Sequence, residues 1–100
     1  MKTTIEKSEG KVLVTLEGHL DSYVADEVAE KFEELYDLEN TEITLDCTNL
    51  DFIASNGLRQ FFMLVRNTSP NGCEIIVKGA NKMLMEVFEL TGFTDFFKFV

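Results

Sequence analysis

Hydrophobic residues in this 100-residue chain change their spacing repeatedly, and that change limits the fold more than any other feature. In "VLVTLEG", Val12, Val14 and Leu16 alternate with Leu13 and Thr15, the period of a strand with two distinct faces. "KTTIEK" before it is a weaker strand, and "SEGK" between them reads as a hairpin turn. The spacing then becomes helical: Ala25, Val28, Ala29, Phe32, Leu35 and Tyr36 share one face, with Asp26, Glu27, Glu30, Lys31, Glu33 and Glu34 on the others. Asp21 or Ser22 supplies a cap for this helix, and "DLEN" ends it.

The switch recurs twice. Ile43, Leu45 and Cys47 form the inward side of a strand, followed by "TNLDF" as a connecting stretch. From Asn56, a second helix places Leu58, Phe61, Phe62 and Val65 together. Met63 and Leu64 lie off that stripe, either buried in a broadly covered helix or adding apolar area to a docking face. "NTSPNG" stops this helix, "CEIIVKG" is a further strand, and "NKMLMEVFELTG" is a third helix. Asn81 caps that helix, Gly92 closes it, and Leu84, Val87, Phe88 and Thr91 turn inward. "FTDFFKFV" fits a short turn and a final edge strand.

The order β-β-α-β-α-β-α-β predicts an α/β fold. It is one domain over residues 1–100, with a mostly parallel sheet of four to five strands, an N-terminal antiparallel hairpin and three to four helices. The length suits one core and is too short for a two-half dinucleotide fold. Nine Phe and no Trp predict a core filled by aromatic packing.

Charge and motifs narrow the function. A net charge of −9 argues against a nucleic-acid surface and an anionic membrane, and is compatible with a basic protein partner. No apolar run approaches the roughly 20 residues of a membrane helix, and the start lacks the order of a signal peptide, so the expected location is cytoplasmic. Cys47 and Cys73 form no CxxC pair, Cys47 reads as a small core residue, and no metal-ligand cluster or cofactor site is evident. GxGxxG and GxxxxGK[ST] are both absent. The carboxylates Glu33 and Glu34, or Asp46 and Asp51, would be paired only by tertiary accident.

"FIASNGL" holds the candidate chemistry. Ser55 stands where a strand gives way to a helix. A hydrolase nucleophile occupies such an elbow, and His19 with Asp21 would complete a Ser-His-Asp set. Against this, "ASNG" does not match G-x-S-x-G, His19 also reads as an exposed turn residue, and so short a chain leaves little room for a substrate pocket. Alternatively, Ser55 is a plain N-cap that stabilises the helix by about 1 kcal/mol. It also reads as a phosphate acceptor. Helix-start amides lack internal partners, and a phosphate would add roughly −1.5 to −2 charges to a face beside Asp21 and Asp51. A docked partner would then be repelled.

Three motifs in register, Gly18-His19-Leu20-Asp21, Phe52 through Leu58 and Leu90-Thr91-Gly92-Phe93, make the whole chain resemble a STAS domain of the type found in bacterial anti-sigma factor antagonists. The family motif reads F-[IM]-D-S-S-G-L, and here Ala54 replaces its Asp and Asn56 its second Ser. The resemblance implies a small α/β fold and a protein-interaction switch without catalysis of its own. The expected partners are an anti-sigma factor serine kinase, which supplies ATP and Mg²⁺, and a phosphatase that resets the switch. The resemblance places the phosphoacceptor at Ser55. It places partner contacts at Asp21 and Ser22 in the first loop and at Ala54, Asn56, Gly57 and Leu58 around the second helix start. At Gly57 a Cβ would crowd an approaching partner or phosphate. Arg59, just beyond the motif and a further candidate for partner binding, reads either as a contact for an acidic group on a partner or as a plain solvent-exposed side chain. Within the same family, a STAS scaffold that is never phosphorylated, for example beside a transporter, is the alternative.

Overall fold

The computed structural model describes residues 1–100. Strand β1 (Lys2–Ser8) pairs antiparallel with β2 (Lys11–Leu20) through a turn in which Gly10 takes φ 74°. β2 then runs parallel to β3 (Glu42–Ile53), β3 to β4 (Glu74–Lys78), and β4 to the short edge strand β5 (Lys98–Phe99). The five strands lie in the order β1-β2-β3-β4-β5. Helices α1 (Ala25–Glu33), α2 (Ser55–Thr68) and α3 (Lys82–Leu90) make the parallel crossovers. Residues 69–71 and 93–95 add single 3-10 turns.

The alternation read from sequence is the core. Val12, Val14, Leu16, Ile43, Leu45, Cys47, Ile75 and Val77 face the helices and join Phe32 of α1, Phe61 of α2 and Phe88 of α3 in one hydrophobic cluster. The other face carries half-buried Leu13, Thr15, Thr44 and Ile76 with exposed Glu74. Phe61 is fully buried and packs within about 6 Å of Phe32, Phe88 and Phe97 by ring centroid. Such a ring contributes roughly 1.5–3 kcal/mol through burial, and this one links all three helices. No helix is long and apolar enough to cross a membrane.

Four local readings are corrected by the structure. "TNLDF" is not a connection, because β3 continues through it to Ile53. Its period breaks at a bulge: Thr48 and Asn49 are both exposed, and the buried series passes from Cys47 to Leu50. The Asp46 carboxylate accepts from the Thr48 hydroxyl at 2.6 Å and from its amide at 3.0 Å. These hydrogen bonds, the hydroxyl's first, outweigh burial and hold Asp46 below the usual carboxylate range. Beside it, burial pushes the Cys47 thiol up to about 12, which leaves it a core residue with no thiolate at neutral pH.

On α2 the buried stripe is Gly57, Leu58, Phe61, Leu64, Val65 and Thr68. Leu64 is fully buried, and Phe62 is 39% exposed, stacked at 6.1 Å on Phe93. Positions i+3 and i+4 are equivalent on an isolated helix, so packing against the sheet and α1 decides between them. Helix α1 stops at Glu33, and Leu35 and Tyr36 belong to the turn that follows. Thr91 is exposed rather than inward, its hydroxyl donating to the Val87 carbonyl at 2.8 Å.

Candidate functional site

Two loops meet at the C-terminal edge of β2 and β3. Leu20 pairs with Ile53 across the parallel ladder, and the Ala54 amide donates to the Leu20 carbonyl at 2.8 Å. This tie sets the loop after β2 beside the start of α2. The Asn56 side-chain amide donates across the gap to the Ser22 carbonyl at 3.5 Å. Upstream, Gly18 has φ 106° at a register shift, a left-handed value that favours glycine, and it steers β2 into this edge.

Asp21 and Ser22 differ in what they do. One Asp21 carboxylate oxygen accepts from the Tyr23 amide at 2.9 Å and the Val24 amide at 3.3 Å. It therefore caps the turn that leads into α1, one step before the helix itself, whose N-cap Val24 has no side-chain cap. Ser22 caps nothing and is exposed. Sequence reading passed over Tyr23, an aromatic side chain 92% exposed in this loop. Its only signal was an aromatic residue ahead of the helical stripe.

Ser55 is not an N-cap. Ala54 holds that position with extended backbone, φ −85° and ψ 167°, and Ser55 is the first helical residue. Ala54 has no side-chain acceptor, and the first turn of α2 carries no acid. The Ser55 side chain is exposed and makes no hydrogen bond within the chain. The hydroxyl is thus free, beside backbone amides that no side chain satisfies and at the positive end of the α2 dipole. Asn56 is half-buried, and its side-chain oxygen is enclosed without a donor, a local cost held at the same junction.

Gly57 and Leu58 turn inward. A Cβ on Gly57 would lie 2.7 Å from Leu20 Cγ and 3.2 Å from Ile53 Cγ1, so this glycine makes room for the core and not for a partner or phosphate. Leu58 is 9% exposed and belongs to the core cluster. Arg59 is exposed, and its guanidinium makes no ion pair. The outward groups at this edge are Ser22, Tyr23, Ser55 and Arg59, with Ala54 and Asn56 half-buried between them.

The hydrolase set is not assembled. His19 Nδ1 lies 2.8 Å from an Asp51 carboxylate oxygen, and the imidazole stacks on Phe52 at 4.5 Å. His19 makes no hydrogen bond to Ser55, and the Asp21 carboxylate is occupied by the loop amides. The largest depression on the molecule, about 740 Å³, is elsewhere: it lies among Lys11, Glu42, Glu74 and Lys98, toward the start of the strands.

Fold and site together describe a small α/β domain that presents a free serine at the C-terminal edge of a parallel sheet, where such folds place their ligands. The chain belongs to the STAS domain family, whose model matches residues 2–100. It is similar to a putative anti-sigma factor antagonist, BtrV, of Bordetella bronchiseptica, with 28% identity over 97 residues, covering 97% of this chain and 84% of the relative. The fold matches a putative anti-sigma factor antagonist from Thermotoga maritima with a TM-score of 0.86 and 17% identity, covering 97% of this chain and 84% of that one. It also matches the Bacillus cell fate determinant SpoIIAA in its phosphorylated form, with a TM-score of 0.78, 17% identity, and coverage of 99% of this chain and 91% of that one.

Proposed function

We propose that this protein is an anti-sigma factor antagonist that docks an anti-sigma factor serine kinase and is released by phosphorylation at Ser55. The observation that carries the reading is the Ser55 side chain itself, exposed and without an internal hydrogen bond at the uncapped start of α2. The docking face is the loop carrying Asp21, Ser22 and Tyr23 together with Ala54, Asn56 and Arg59. Gly57 and Leu58 shape that face from behind by letting α2 sit close on Leu20 and Ile53. The protein works in the cytoplasm beside its kinase, and a phosphatase restores the free serine.

In the transfer step the Ser55 oxygen bonds to the γ-phosphorus of the kinase's ATP. The bond from that phosphorus to the bridging oxygen breaks, ADP leaves, and the hydroxyl proton passes to the kinase's base. The product carries roughly −1.5 to −2 added charges on a face that already holds Asp21 and Asp51, in a chain of net charge −9. Repulsion and lost contact then separate the pair.

The chain does no chemistry of its own. Ala54, in place of the motif's acid, is the residue that favours the second reading, a STAS scaffold that is never phosphorylated. Mass spectrometry after incubation with an anti-sigma serine kinase from the same genome and ATP separates the two. Wild type is expected to gain one phosphoryl group, and Ser55→Ala none. An unmodified wild type beside a kinase that phosphorylates another antagonist would leave the scaffold.

A further inference from the structure

This inference rests on Ser55 being the acceptor and concerns what its phosphate meets. We infer that Arg59 is the intramolecular partner of a phosphate on Ser55, so that modification withdraws from the docking face the cation it offers a partner.

Ser55 and Arg59 are four residues apart on α2, and both are exposed. Side chains at that spacing are neighbours on a helix surface, with roughly 5–6 Å between Cβ atoms. The order also matters, since an anion N-terminal to a cation at this spacing is the favourable orientation. Arg59 makes no ion pair in the unmodified chain, so nothing must be broken first. The next cation on α2 is Arg66, two turns further along.

The other charged groups at this edge do not substitute for Arg59. From the loop after β2 comes Asp21, negative and held by the Tyr23 and Val24 amides. The end of β3 contributes Asp51, paired with His19. The first turn of α1 adds Asp26 and Glu27. The guanidinium also matches the planar, bidentate geometry that phosphate oxygens accept. Without the phosphate, Arg59 stands close to the positive end of the α2 dipole, where a cation is disfavoured and open to a partner's carboxylate. With it, the arginine is claimed within the chain. The phosphate acts twice, by its own charge and by removing this contact.

The test uses the full chain with phosphoserine installed at position 55 during synthesis, so that it does not depend on any kinase. The phosphate is titrated by ³¹P NMR in wild type, Arg59→Gln and Arg66→Gln. A nearby cation favours the dianion and lowers the second phosphate pKa. Arg59→Gln should therefore raise it by about 0.3 unit, and Arg66→Gln should leave it unchanged. Coincident titration of wild type and Arg59→Gln, or an equal shift in Arg66→Gln, would overturn the inference. A kinase that ignores Ser55 would remove the proposed function while this titration still reads the pair.

Discussion

Helices α2 and α3 begin alike in backbone and differently in chemistry. Each has an extended N-cap residue, Ala54 and Asn81. At α3 the Asn81 side-chain oxygen accepts from the Leu84 amide at 2.8 Å. Neither helix has an acid in its first turn, but at α2 Ala54 has nothing to offer and the nearby Asn56 oxygen is buried without a donor. Helix α3 is a packing element and is finished as one. Helix α2 keeps its first turn open and takes its stability from the other side, through Phe61, Leu64 and the close seat of Gly57 on Leu20. Of these two helix starts, the one without a side-chain cap is the one with a free hydroxyl.

Substitutions that exchange these two solutions would sharpen or break the comparison. The largest effect is expected at Gly57. Gly57→Ala gains helix propensity but drives a methyl against Leu20 and Ile53, for a net loss of about 1–2 kcal/mol in denaturant unfolding. Gly57→Ala as stable as wild type would mean that the close seat is not what holds α2. Next is Asn81→Ala, which removes the α3 cap and should cost about 1 kcal/mol. Ala54→Asp gives α2 the cap it lacks and should stabilise by about 0.5–1 kcal/mol. If it does not, the α2 start was never deficient. Smallest is Ser55→Ala, expected to stay within about 0.5 kcal/mol of wild type because the hydroxyl makes no internal bond. A larger loss would mean that Ser55 is structural.

The sheet and helices were legible because one face of each is buried, and burial writes its period into the sequence. Val12, Val14 and Leu16, and the Asn81 and Gly92 ends of the α3 segment, were read directly. What escaped depended on contacts between distant segments. The bulge at Thr48 and Asn49 breaks the strand period and looked like a loop. The choice of Leu64 over Phe62 depends on which side of α2 meets the rest of the core. Within the site, the position of Ser55 at a helix start was visible. Whether it is the N-cap or the first helical residue stayed open in the sequence, and the tie from Ala54 to the Leu20 carbonyl, which fixes where α2 begins, decides for the latter. Leu58 already fell on the apolar stripe of the second helix and is buried there, whereas the inward direction of Gly57 was hidden, because a motif names residues without saying which way they face. His19 looked like a partner for Ser55 until the fold turned it to Asp51.

The central claim is that the open start of α2 is a docking face which phosphorylation closes. Its most direct test is to form the complex with the anti-sigma serine kinase in ADP and then add ATP during size-exclusion chromatography. Wild type is expected to leave the complex carrying one phosphate at Ser55, while Ser55→Ala stays bound. A wild-type complex that persists after Ser55 is phosphorylated, or Ser55→Ala leaving as readily as wild type, would contradict it.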